Sequence, residues 1–197
     1  MPMDTTLHDQ PGADERTSRT IQRWGGIASF VMVAAFFAAH AIYLTGKLEE
    51  PYGPLSYSLA DFLYGAVWSA GLVIMVYALR ERIGDRAPRL MTIALLLALA
   101  AGAAFLTVAS VRSANRYYHL THPTLRLELS PTVLTVWATL VAGITGAAFH
   151  FLGWAFILIG TAGWISQRLP RLLNGLYGVG GVLALAVYLF PPLSDTI

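Results

Sequence analysis

Apolar blocks separated by short polar segments define this chain. The blocks predict helical membrane spans at about 24–46, 60–79, 90–111, 146–165 and 172–190. A helix rises about 1.5 Å per residue and the hydrocarbon core is about 30 Å thick, so blocks of this length can cross a bilayer. The predicted fold is all-α: a polytopic transmembrane helical bundle of five spans with a long fourth helix.

The polar segments complete this outline. Residues 1–23 carry almost nothing to bury and predict a disordered cytoplasmic tail. Lys47 to Pro54 reads as a turn rich in Pro and Gly, and 80–89 as the most basic loop. Residues 112–129 form the longest connection and read as an interfacial segment. Pro191-Pro192 stops the last span, leaving 191–197 as a short tail. Ser58-Leu59-Ala60-Asp61 has the spacing of a capping box ahead of the second span. Ala39-His40-Ala41 resembles a signal-peptidase site, but the long apolar block and the spans that follow favour an uncleaved first helix.

The fourth block is too long for one crossing. From Leu129 to Gln167 there are 39 residues without a charge, about 58 Å as one helix. Two short spans could turn near Gly143-Ile144-Thr145-Gly146. Alternatively, one span at 146–165 could follow a helical extension over 130–145, with Ser130 as N-cap and Pro131 at the first helical position. Charge placement favours the second arrangement. With one crossing, nine basic residues (Arg16, Arg19, Arg23, Arg80, Arg82, Arg86, Arg89, Arg168 and Arg171) share one side. Lys47, Arg112, Arg116 and Arg126 take the other. That asymmetry fits the positive-inside rule, with a cytoplasmic N-terminus and an external C-terminus.

Composition agrees with a membrane location. Charged residues make up 12% of the chain, against about 25% in soluble domains. The net charge of +2 reflects arginines flanking spans, and no basic patch on a soluble segment suggests nucleic acid. With no cysteine, disulfides, thiolate metal sites and cysteine nucleophiles are excluded.

Few residues inside the spans could carry chemistry. Gly146, His150, Gly153, Ile157, Gly160 and Trp164 share one helical face. Glycines at this spacing let a second backbone approach in lipid, and Gly175, Gly178 and Gly181 offer a partner surface on the fifth span. His150 then points into the bundle, where helix packing is its simplest role. Counting from the arginine side, His40, His150 and Asp61 lie at roughly 25, 27 and 28 Å. Residues of these types at one depth could hold zinc, with His119 and His122 in the loop above. Two histidines on different helices could also ligate a b-type haem. Each residue has a plainer reading as well: Asp61 as a first-turn carboxylate, and the loop histidines as solvated groups. No midplane polar cluster, paired half-helices or repeats point to a transporter.

Phe151-Leu152-Gly153-Trp154, then Gly160, Leu169-Pro170-Arg171-Leu172-Leu173, Gly175 and Gly181 resemble a bacterial membrane family known as domain of unknown function 4386. The entry Arg23-Trp24-Gly25-Gly26-Ile27 is similar to that family's first span, while Asn174 stands beside the glycine of the family's turn unit. The resemblance implies a multi-pass protein of the bacterial inner membrane and brings no catalytic residues. The expected function is therefore non-enzymatic, as an accessory or lipid-interacting subunit whose partners are the bilayer and possible further membrane subunits or copies of itself. The alternative is a membrane metalloenzyme or haem protein with an outer-leaflet site at His40, Asp61 and His150.

Overall fold

The computed structural model describes residues 11–45, 56–122 and 131–189, and no strand occurs among them. Five helices follow in order: α1 (Pro11–Thr45), α2 (Ser56–Ile83), α3 (Pro88–Thr121), α4 (Pro131–Ser166) and α5 (Arg171–Leu189). α1 to α4 are long and apolar enough to cross a membrane, and α5 is a shorter apolar helix. The all-α bundle expected from the apolar blocks is the fold observed. The 47–54 turn, Ser130 and the 191–197 tail lie outside the described residues.

Three helices run beyond the apolar blocks that announce them. α1 begins at Pro11, so 11–23 is helical and not a disordered tail. Once a span is formed, each added residue contributes a hydrogen bond without a new nucleation cost, and Ala13, Glu15, Arg16 and Arg19 carry no helix-breaking chemistry. α3 continues ten residues past Val111 for the same reason, replacing the expected interfacial segment with helix. It ends where His122, with φ −129° and ψ 68°, precedes Pro123, because a following proline disfavours the helical conformation. α4 is one uninterrupted helix of 36 residues. Gly143 and Gly146 stay helical within it, so the fourth block does not fold back on itself.

The helices pack in sequence order: α1 on α2, α2 on α3, α3 on α4 and α4 on α5. α2 makes one small further contact with α4, and no Cα of α1 lies within 8 Å of one in α4 or α5. Backbone contacts thus follow a row with α1 and α5 at its ends, and these two both border α2 around a pocket of about 350 Å³, where the Tyr177 hydroxyl of α5 reaches the Met75 sulfur of α2. In the centre of the row, α3 buries Met91, Ala94, Ala98, Ala101, Phe105 and Val108, at alternating spacings of three and four. α4 answers with Ala148, Leu152, Ala155, Ile159 and Ala162 at the same alternation. This seven-residue repeat is the spacing of a helix-pair seam, and its small residues let the backbones approach.

The outward faces are the reverse of a water-soluble surface. Phe30 is 77% exposed on α1 and Leu172 is 76% exposed on α5, with many other large apolar side chains around them. Contiguous apolar area on this scale is covered by lipid or protein in a stable molecule.

Candidate functional site

The polar centre of the bundle forms where the end of α1, the start of α2 and the end of α3 meet. Asp61 sits one and a half turns into α2 and is 1% exposed. Its Oδ2 receives Nη1 of Arg116 at 3.0 Å, and Nε of Arg112 lies 3.6 Å from Oδ1. The Tyr43 hydroxyl donates to Oδ1 at 2.5 Å, and the Ser113 hydroxyl to Oδ2 at 3.4 Å. Arg116, itself 4% exposed, also donates to the Ser58 hydroxyl at 3.0 Å.

Helical spacing assembles these groups. Arg112, Ser113 and Arg116 lie at i, i+1 and i+4, so one stripe of α3 presents them together. Ser58 and Asp61 are three apart on the facing stripe of α2. Tyrosines close the third side: Arg112 lies 5.3 Å over the Tyr43 ring and Arg116 5.4 Å over the Tyr57 ring. These two rings meet edge to face at 5.2 Å, and the Tyr57 hydroxyl donates to the Tyr43 carbonyl at 2.9 Å. Cation–π contact and charge-assisted hydrogen bonding gain strength together where water is excluded.

Asp61 is therefore not a helix-capping carboxylate. α2 begins at Ser56, which places Ser58 and Asp61 inside the helix, and both side chains turn to Arg116. The carboxylate has about four lone-pair positions, and Tyr43, Ser113, Arg112 and Arg116 surround it. A carboxylate so occupied serves as an anchor between helices, and the second arginine leaves the cluster one positive charge in excess.

Immediately inward, α2 opens into a wider turn over Leu63–Val67, where the Trp68 amide reaches the Leu63 carbonyl five residues back. Gly65 in this turn lies against α3: a Cβ there would collide with the Cβ of Ala109 and come within 3.7 Å of the Phe105 carbonyl oxygen. Between Phe62 and Ala66 on α2 and Leu106 and Ser110 on α3 lies a cleft of about 200 Å³ that reaches Asp61 and Ser113. Wide turns of this kind interrupt helices at sites under local constraint. Here the turn lets α2 meet α3 closely beside the ion pair.

Of the histidines, His40 borders this centre: its ring meets that of Tyr43 edge to face at 6.5 Å. The His40 ring lies tilted against Phe36 at 4.1 Å, and its Nδ1 is 2.8 Å from the Phe36 carbonyl. Because a carbonyl can only accept, that nitrogen carries the proton. His150 is half-buried on α4, with Phe151 and Trp154 at 6.3 and 6.4 Å between ring centres. Among the described residues, no group of three or more His, Asp and Glu side chains could hold a metal ion. Equal depth does not unite His40, Asp61 and His150, because α1 and α4 make no backbone contact. His122, at the end of α3, stacks on Tyr118 with Nδ1 3.1 Å from the Tyr118 carbonyl.

The glycines are distributed unevenly. A Cβ on Gly153 would lie 2.8 Å from the Gly181 carbonyl oxygen, and one on Gly181 would lie 2.6 Å from that of Gly153. At Gly160 a Cβ would lie 2.9 Å from the Asn174 carbonyl oxygen and 3.2 Å from the Gly178 amide nitrogen. These three positions set the α4–α5 approach. A Cβ on Gly175 or Gly178 would meet nothing within 4 Å, and Gly146 is half-buried one helical turn before His150. Gly163, by contrast, makes room for the side chain of Asn174.

At the opposite end of the bundle, Arg168 ties the α4–α5 turn to the α2–α3 turn. Its Nη2 is 2.7 Å from Asp85 Oδ2, and Nη1 donates to the Arg82 carbonyl at 3.1 Å. Both partners are about half exposed, so this pair contributes under about 1 kcal/mol.

The fold defines an all-α bundle of membrane-compatible helices around one buried charge cluster. No family model, curated protein or solved structure matches the chain.

Proposed function

We propose that this chain is a non-enzymatic integral protein of the bacterial inner membrane, acting as a small accessory or lipid-interacting subunit. The observation that carries this reading is the saturation of Asp61. The only carboxylate buried among the described helices is surrounded by Arg116, Arg112, Tyr43 and Ser113, and so works as a structural pin. Ionisable groups within membrane helices are functional suspects by default, and a pin is a function of assembly.

The outer helices support the same reading, since α1 and α5 turn large apolar side chains outward. Lipid or a partner helix suits those faces. The bacterial inner membrane follows from the resemblance to the domain of unknown function 4386 family, and the orientation from the distribution of arginines.

The test is metal and haem content of detergent-purified protein, by elemental analysis and a reduced-minus-oxidised spectrum. The expected result is no stoichiometric metal or haem. About one equivalent of zinc or haem b, lost in both His40→Ala and His150→Ala, would replace this reading with a cofactor protein.

A further inference from the structure

Helix packing leaves a cleft between α1 and α5, which make no backbone contact with each other. It encloses about 350 Å³: Met75 and Arg82 of α2 form its floor, Gly26 of α1 one wall and Tyr177 of α5 the other. A Cβ on Gly26 would meet nothing within 4 Å, so the α1 wall is open there. From Met75 to Arg82 the cleft runs two turns, about 10 Å along α2. A spanning helix of about 20 residues is about 30 Å long. A cleft of this length suits one lipid molecule instead.

Two polar groups indicate what the lipid carries. Tyr177 is half-buried, and its hydroxyl donates to the Met75 sulfur at 3.8 Å, with no other hydrogen bond among the described residues. Thioether sulfur is a weak acceptor, and a donor so poorly matched away from water asks for an oxygen. Arg82 is exposed at the mouth, and its guanidinium makes no ion pair among the described residues. Such a planar cation takes a phosphate through two parallel hydrogen bonds. The headgroup region of one leaflet is about 5–8 Å deep. A cation at the mouth and a phenol near Met75, two turns further in, therefore match the phosphate and an ester carbonyl of a single lipid.

We infer that the α1–α5 cleft holds one diacyl glycerophospholipid, its phosphate on Arg82 and an ester carbonyl accepting the Tyr177 hydroxyl. The acyl chains leave the bundle between α1 and α5, past Gly26. A dialkyl-ether lipid has the phosphate but no carbonyl, so it satisfies Arg82 and leaves Tyr177 on the sulfur. This assignment rests on the lipid-interacting reading above and makes it specific.

The experiment reconstitutes the full chain in nanodiscs of equal diacyl and dialkyl-ether phosphatidylglycerol, then counts lipids retained after mild detergent release by native mass spectrometry. One diacyl lipid per chain should be retained, about fivefold over the ether form, the size of one ordinary hydrogen bond. Tyr177→Phe should keep a lipid but lose the preference. Arg82→Gln should lower retention of both forms alike, and Arg86→Gln, an exposed arginine outside the cleft, should change neither. Gly26→Leu places its side chain in open space, so it should empty the cleft without lowering the melting temperature. Tyr177→Phe removes one oxygen only and tests the site even if Gly26→Leu folds poorly.

Equal retention of the two forms by the parent, or an unchanged preference in Tyr177→Phe, would overturn the assignment. So would full retention in a Gly26→Leu variant that melts as the parent does. A dimer that Gly26→Leu converts to monomers would also overturn it, giving the cleft to a second copy of the chain. None of these outcomes bears on metal or haem content, so the broader reading fails or stands separately.

Discussion

Two regions of this bundle hold helices together by opposite means. At one, α1, α2 and α3 converge on a buried carboxylate held by Arg112, Arg116, Tyr43 and Ser113, with Ser58 and Tyr57 on Arg116. At the other, α4 and α5 meet where Gly153 and Gly181 face each other's backbone and no ionised group takes part. Lipid removes the hydrophobic force between helices, because the tails are as apolar as leucine. What remains is polar pairing, strong but exacting, or close backbone contact, weaker at each point but repeated. The three-helix junction uses the first and the terminal hairpin the second. A lone pair must be complete, whereas a seam tolerates change wherever a neighbour is absent.

The largest expected effect is at the ion pair. Arg116→Ala leaves Asp61 to Arg112 alone, whereas Asp61→Ala takes its carboxylate partner from the buried Arg116 and should cost the more, about 3–5 kcal/mol, measured by steric trapping or thermal unfolding in a fixed detergent. A loss under about 1 kcal/mol would mean that water reaches the cluster and that it does not pin the helices.

A smaller effect separates the glycines of the seam. Gly153→Leu and Gly181→Leu drive a side chain into the opposite backbone and should each cost about 1–3 kcal/mol, seen as a lower melting temperature and increased cleavage of the α4–α5 turn by protease. Gly175→Ala meets open space and should be neutral or stabilising by up to about 1 kcal/mol from helix propensity. Equal destabilisation at Gly175 and Gly153 would show that the seam is not set by these close approaches.

The sequence exposes this comparison unevenly. The spans are legible because blocks such as 24–46 have no charged residue, and the glycine face of α4 is legible because its spacing repeats by seven. Asp61 stands out as a carboxylate beside a span, but its partners do not. Arg112 and Arg116 follow an apolar block and look like loop residues until α3 is carried beyond Val111. Their i, i+4 spacing, with Ser113 between, is the signal that could have identified them. Ser58 reads only as part of a capping box and Tyr43 carries no signal, because their roles depend on how α1 and α2 rotate about their axes.

Depth arithmetic failed for a related reason. Residue counts give His40, Asp61 and His150 one height, but height along a helix says nothing about which helices are neighbours. α1 and α4 make no backbone contact, and no count of residues reveals that. Asn174 is a further example: in sequence it interrupts a glycine-rich run, while in the fold its side chain fills the space left by Gly163.

The central claim is that Asp61 and Arg116 act as one structural unit, and a double-mutant cycle tests it most directly. Asp61→Leu, Arg116→Met and the double variant would be compared by steric trapping in the same bilayer mimic. The account predicts that Asp61→Leu costs about 3–5 kcal/mol and Arg116→Met less, while the double variant costs well under their sum, because the buried charge is gone and the remaining Arg112, 38% exposed, keeps much of its hydration. Additive losses, with the double variant destabilised by the sum of the singles, would contradict the claim and assign Asp61 and Arg116 separate roles.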